Sequence, residues 1–323
     1  MSLRTRRSHS LLRKPLLTGV SASSLNLYKK PTNVSAHVQE YPQLAKLSAY
    51  ATASWLGDWT SNPQSVITTD KANAQGATLL YVLYAIPFRD NGNFSAGGFQ
   101  TDQQYYDWIN GVASGIGSAQ AFVILEPDAL GLIGDLDTAA QNRRYSLISG
   151  AVTRLKQCPN VKLYIDMGMW VEPAAAAERL QKANIATADG FSINTSAFNY
   201  LQSCYERGNE YIQALNALGV TAKKFVVDTS RNGNGSLTPD YPGANPWYST
   251  NQPWCNPPGR SLGLSPRIPT GQPHCAALLW IKTAGESDGN FPTAAQNTIF
   301  STNAPNAGEF WAEYALAFAN NSV

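Results

Sequence analysis

Hydrophobic residues in this chain gather into short unbroken runs rather than alternating with polar ones. Seven such runs lie at residues 53–56, 79–85, 121–125, 161–165, 191–194, 225–227 and 278–281. A strand that is apolar on both faces is buried on both faces, the condition of a parallel sheet covered by helices. Stretches with helical spacing fall between the runs. In 101–116, Tyr105, Ile109, Val112 and Ile116 share one face behind Thr101 as N-cap. Further helices are expected at 138–155, 173–185, 210–218 and 308–318. The β/α alternation predicts an α/β barrel with seven parallel strands.

Five of the runs stop at carboxylates. Residues 79–85 lead to Phe88-Arg89-Asp90, 121–125 to Glu126-Pro127-Asp128, 161–165 to Asp166, 225–227 to Asp228, and 278–281 through Lys282 to Glu286-Ser287-Asp288. Parallel strands end on a common face, and barrel enzymes carry their active sites there. Any one of these acids reads as a helix cap or an arginine partner. Five on one face would crowd like charges, an arrangement that shifts pKa values and points to acid–base chemistry.

Composition narrows the class. A chain of 323 residues with 43% hydrophobic content suits one large domain, expected over 24–323, with residues 1–23 an N-terminal lead or a processed targeting segment. Charged residues make up 14% and the net charge is +2, which gives no electrostatic reason to expect a nucleic-acid or membrane partner. No apolar stretch approaches the ~18 residues of a membrane span. Cys158, Cys204, Cys255 and Cys275 show no zinc spacing and allow either up to two disulfides or four buried thiols. His9, His37 and His274 are the only histidines, and none stands at a strand end beside Ser or Cys. A Ser-His-Asp triad and a His-rich metal site are disfavoured, and no phosphate-binding glycine motif follows a strand, so no metal or organic cofactor is expected.

Aromatic residues supply the second clue. Trp55 and Trp59 follow the first strand, Tyr84 closes the second, Trp170 follows Asp166, and Trp254 lies in a Gly-, Pro- and Asn-rich segment, 230–274, that also holds Trp247 and Tyr248. Trp108, Trp280 and Trp311 sit on helix or strand bodies and read as core. Flat rings beside carboxylates in a cleft suit the apolar faces of sugar rings, and two carboxylates across a glycosidic bond are the usual chemistry of such a cleft.

Seven motifs in order then resemble glycoside hydrolase family 6, the cellulases that cleave β-1,4-glucan with inversion, over 24–323. They are Trp55-Leu56-Gly57-Asp58-Trp59, Tyr84-Ala85-Ile86-Pro87-Phe88-Arg89-Asp90, Ser95-Ala96-Gly97-Gly98, Leu125-Glu126-Pro127-Asp128-Ala129-Leu130, Tyr164-Ile165-Asp166, Trp254-Cys255-Asn256-Pro257-Pro258-Gly259-Arg260, and Leu279-Trp280-Ile281-Lys282 through Gly285-Glu286-Ser287-Asp288-Gly289. The resemblance implies a distorted seven-stranded, TIM-like barrel. It makes Asp128 the general acid, with Asp90 beside it and Ser95 in the water chain, Asp288 either base or electrostatic stabiliser, and Asp166 a support for the distorted sugar. It makes Trp55 and Trp254 stacking platforms, lets Tyr84 and Arg89 crowd the same sugar, and gives hydroxyls to Asn194, Lys282 and Glu286.

The chain departs from that pattern in places. Asn91 and Leu136 stand where the family commonly has two cysteines, Asn290 replaces the usual partner of Cys255, and the stretch Asp166-Met167-Gly168-Met169-Trp170 is shortened. Cellobiohydrolases of the family roof the cleft with long loops after the Asp90 and Asp288 motifs. Here 89–98 is compact and only 290–307 precedes the last helix. The expectation is therefore a secreted, monomeric, inverting endo-β-1,4-glucanase acting on cellulose and cello-oligosaccharides. The alternatives are a cellobiohydrolase roofed by 230–274 and a non-catalytic glucan-binding barrel, which would not need both Asp90 and Asp128.

Overall fold

The computed structural model describes residues 23–92, 95–236, 254–268, 270–290 and 303–322. Residues 1–22, Trp247, Tyr248 and most of the segment before the last helix lie outside the described residues, and with them the expectations placed there. The strands are β1 (Ser23–Ser24), β2 (Ser54–Gly57), β3 (Leu79–Tyr84), β4 (Ala121–Leu125), β5 (Val161–Asp166), β6 (Gly190–Ile193), β7 (Lys224–Asp228), β8 (Arg267–Ile268) and β9 (Cys275–Leu279). They form one sheet in the order β1-β8-β9-β7-β6-β5-β4-β3-β2. The seven apolar runs are its parallel strands, while β1 and β8, each two residues long, add antiparallel pairs at one edge. This is the distorted barrel that the strand pattern and the resemblance imply.

Alternation along each strand separates two cores. Leu80, Val82 and Tyr84 of β3 face the barrel interior with Ala53, Ile124, Tyr164, Val226, Leu279 and Ile281. Leu79, Tyr81 and Leu83 face outward to the helices, where the larger core lies. On β9 the register slips, so that Phe225 faces Cys275 while Val226 faces Ala277. Ala276 is the extra residue of that bulge, which twists the strand before the site. β2 and β9 are not paired as strands. Their meeting is held by the Ala53 N–H donating to Trp280 O at 2.9 Å and the Trp55 Nε1–H donating to Ile281 O at 2.9 Å.

The helices are α1 (Asn33–Ala36), α2 (Pro63–Ala74), α3 (Asp102–Ile116), α4 (Thr138–Leu155), α5 (Pro173–Lys182), α6 (Leu201–Ala217) and α7 (Ala312–Asn321). Thr101 caps α3 as expected, within a reciprocal box with Gln104. Helix α5 ends three residues before the expected 185, α6 begins nine residues before the expected 210, and α7 runs from 312 rather than 308. Sequence pattern did not show α2, whose buried positions are Pro63, Ile67, Asp70 and Ala74. Trp108, Trp280 and Trp311 are buried, and no described helix is long and apolar enough to cross a membrane.

Candidate active site

Asp128 stands just past β4 and is the centre of the acidic group. Burial first, then the charges of Asp166 and Asp90, push its carboxyl up to about 8. Asp166, the last residue of β5, is buried beneath it: Asp166 Oδ2 accepts the Asp128 N–H at 3.1 Å, while Oδ1 accepts Ser192 Oγ at 2.9 Å and Thr195 Oγ1 at 2.6 Å. Burial raises Asp166 to about 6 against those hydrogen bonds. Asp90 reaches the group from the loop after β3, with its Oδ2 accepting the Ser95 N–H at 2.9 Å. Tyr84 closes the same corner, its phenol raised well above the ordinary range by burial and by Asp128 and Asp90.

The two loops carrying Asp90 and Asp128 hold an unusual backbone. Phe88, Asp90, Asn91, Glu126 and Asp128 all have left-handed φ, between 48° and 67°. For residues with a Cβ each costs about 1–2 kcal/mol, so the surrounding contacts must hold them there. Glu126 does part of this: fully buried, its carboxylate accepts the Ala85 and Ile86 N–H groups at 3.1 to 3.2 Å and locks the end of β3 to the end of β4. Burial lifts Glu126 to about 7 despite those bonds.

The opposite side, after β7 and β9, is built on a cation. Asp288 Oδ1 pairs with Arg231 Nη1 at 2.7 Å, and its Oδ2 accepts the Asn256 N–H at 3.0 Å. Asn256 Oδ1 in turn accepts the Asp288 N–H at 2.6 Å. Arg231 is fully buried, stacks over Phe198 at 4.2 Å and donates Nη2 to Ser196 O. Burial is the largest single influence and opposes its charge, but Asp288, Tyr314 and Asp228 together raise its pKa. Asp228, at the end of β7, does not open to the cleft. Its carboxylate accepts the Ser196, Ser230, Ile281 and Lys282 N–H groups at 2.9 to 3.1 Å, which ties three strand ends together.

The expected sugar ligands divide into two sets. Trp55, Tyr84, Lys282 and Glu286 form one cluster: the Trp55 and Tyr84 rings meet edge to face at 5.5 Å, Lys282 Nζ lies 5.8 Å from the Trp55 ring, and Lys282 pairs with Glu286 at 2.9 Å. Arg89 adjoins the cluster, its guanidinium 4.6 Å from the Tyr84 ring centroid, while Asn194 points elsewhere. The Arg89 guanidinium donates to Asp58, Tyr84 O, Ser95 O and Ala96 O, so it shapes the loop of Asp90 and Ser95. Asn194 is buried with Nδ2 on Asp228 O and Oδ1 accepting from Asn199. Trp254 is 45% exposed and Trp170 56% exposed. The Trp170 ring packs closely against two glycines, since a methyl group at Gly131 or Gly168 would sit 2.4 or 2.6 Å from it.

Sequence reasoning missed Arg231, Asn256 and the structural use of Asp228. A lone arginine in Ser230-Arg231-Asn232-Gly233 has the look of a solvated loop, and only its 57-residue separation from Asp288 closing in space reveals its role. All four cysteines are buried free thiols. Among the described residues no His, Cys, Asp and Glu side chains group in a way that could hold a metal ion.

Comparison with known proteins adds a family to this geometry. The model of Glycosyl hydrolases family 6 matches residues 21–322. The chain is 36% identical over 285 residues to endoglucanase A of Cellulomonas fimi, covering 86% of this chain and 56% of that protein. It is 38% identical over 271 residues to endoglucanase 1 of Streptomyces halstedii, covering 81% and 76%. In three dimensions it resembles the endoglucanase Cel6 from Mycobacterium tuberculosis in complex with a methyl-cellobiosyl-4-deoxy-4-thio-β-D-cellobioside, with TM-score 0.80 and 32% identity, covering 93% of this chain and 97% of that one. The chain thus spans just over half the length of the Cellulomonas relative.

Proposed function

Because the chain belongs to glycosyl hydrolases family 6, we propose that it is an inverting endo-β-1,4-glucanase acting on cellulose and cello-oligosaccharides. The observation that carries this reading is the Asp128 carboxyl, pushed up to about 8 in a corner shared with Asp90, Asp166 and Tyr84. Such a group is protonated at neutral pH and able to deliver its proton to a glycosidic oxygen as the bond breaks. Water then attacks the opposite face of the sugar. Asp90, whose Oδ2 accepts the Ser95 N–H, organises that water and takes up the proton it releases as the new C–O bond forms. Asp288, held by Arg231, stabilises the positive charge that develops on the sugar.

Trp55, Tyr84 and Lys282 supply a mixed aromatic and polar surface for a glucosyl unit, and the exposed Trp254 and Trp170 extend it. Endo action is supported by the naming of the relatives and by the loop after β3. The described residues of that loop turn back on themselves, with Arg89 bridged to Gly97 and its guanidinium on Ser95 O and Ala96 O. Action outside the cell fits an insoluble polymer as substrate.

A time course on carboxymethylcellulose tests this directly. Viscosity should fall early while reducing ends are still few, because each internal cut halves a chain on average. Cellobiose accumulating with little change in viscosity would replace the endo reading with a chain-end reading, and no release of reducing ends from any β-1,4-glucan would remove the glucanase reading altogether.

A further inference from the structure

The two loops that carry Asp90 and Asp128 meet over one buried side chain that belongs to neither. Arg144, on α4, is 3% exposed. Its Nη2 donates to Phe88 O at 2.8 Å, and its Nη1 donates to Asn91 Oδ1 at 2.8 Å and to Ala129 O at 3.3 Å. Asn91 completes the link by donating Nδ2 to Leu132 O at 2.9 Å. One guanidinium and one amide thus join the residues on either side of Asp90 to the turn that follows Asp128.

Neither loop can hold this geometry by itself. Phe88, Asp90 and Asn91 in one and Glu126 and Asp128 in the other have left-handed backbone, which a free loop of L-residues abandons for extended or right-handed conformations. Glu126 fixes the strand ends beneath the loops but makes no hydrogen bond to the tips. Arginine suits the remaining task, because its planar fork presents several fixed donors to carbonyl oxygens that no strand ladder serves.

We propose that Arg144, acting through Asn91, is a positioning residue that sets the separation of Asp90 from Asp128 and so the environment in which the proton donor works. The inference rests on the glycosidase reading above. Arg144 itself faces Glu126 and Tyr84 across the loops. Asp128 is faced by Asp90 from the first loop, Asp166 from β5 and Tyr84 from β3, and of these Asp90 is the one the clamp would move.

Asn91→Ala and Arg144→Gln test the proposal with kcat, KM and a pH–rate profile on a soluble cello-oligosaccharide, together with hydrogen exchange at 88–92 and 129–132. Asn91→Ala trims a half-buried loop side chain and leaves the core intact. Its kcat should fall about tenfold, and that of Arg144→Gln up to about a hundredfold, as expected of a misplaced catalytic group, with KM little changed. The alkaline limb of the profile should move to lower pH as the charge of Asp90 withdraws from Asp128. Asn91→Asp, which keeps an acceptor for Arg144 but loses the donor to Leu132 O, should recover only part of the loss. Wild-type kcat and an unmoved alkaline limb in Asn91→Ala overturn the proposal, as does unchanged exchange in both loops. Inactivity of the wild type on all β-1,4-glucans would instead sink the glucanase reading, and the exchange measurement would still decide whether the clamp exists.

Discussion

Asp128 and Asp288 are the same residue type at the ends of strands in one barrel, and their surroundings give them opposite characters. Asp128 is set among carboxylates and a phenol, in loops forced into left-handed backbone, and its carboxyl rises to about 8. Asp288 is set against a fully buried guanidinium and an amide that grips it from both sides. Asp128 is pushed toward its protonated form by burial first and by like-charged neighbours second, whereas Asp288 faces a cation.

The comparison breaks most visibly at Asp128. Asp128→Asn cannot give up a proton, so cellulose turnover should drop roughly a hundred- to ten-thousandfold, while a substrate whose leaving group needs no protonation should lose far less. Turnover near the native rate would remove Asp128 from the acid role. In the wild type kcat/KM should fall as pH rises past about 8, because the proton donor is then ionised. Stability carries the same sign. A carboxyl whose pKa is raised in the folded state favours folding fully below its ordinary value near 3.8, and that contribution is lost as pH climbs to about 8. Thermal melts should therefore show Asp128→Asn gaining on the wild type as pH rises across this window, and a constant offset would contradict it.

On the other wall the sensitive partner is Arg231. Arg231→Met strips Asp288 of its cation and leaves a buried charge uncompensated, for which about 3–5 kcal/mol of lost stability is expected. Denaturant melts should report it, and Arg231→Met/Asp288→Asn should recover part of the loss. A single variant as stable as the wild type would show that Asp288 does not depend on the ion pair.

The smallest effect is expected at Trp254, if it is the stacking platform proposed above. Trp254→Ala should weaken cello-oligosaccharide binding by about 1–3 kcal/mol by analogy with stacking on other aromatic surfaces. Calorimetry on Asp128→Asn carrying this change would separate binding from turnover. Affinity unchanged within error would place Trp254 outside the substrate path.

Much of this architecture was legible because buried parallel strands are written as continuous apolar runs, and Asp90, Asp128 and Asp166 follow such runs directly. Helix α3 was equally plain, with one apolar face behind a capping threonine. Helix α2 was not, since its inward face is made of a proline, an isoleucine, an aspartate and an alanine and shows no apolar stripe. The start of α6 escaped for a related reason: Tyr200 makes no capping bond there, and Gly208 interrupts the pattern. Arg89 and Asn194 illustrate a different limit. Which way each polar side chain turns is decided by backbone carbonyls that the fold brings to it, Tyr84 O for one and Asp228 O for the other.

The meeting of β2 and β9 has a meaning beyond topology. Elsewhere around the barrel each strand is laced to its neighbour, but at this seam Ala53 reaches Trp280 and Trp55 reaches Ile281 without a ladder between them. Trp55 belongs to one lip and Lys282 with Glu286 to the other. A glucosyl unit resting on Trp55 with its hydroxyls on Lys282 and Glu286 would lace the two lips from outside. The substrate would then act as a removable rung of the barrel, and the tightness of the scaffold would rise and fall with each turnover.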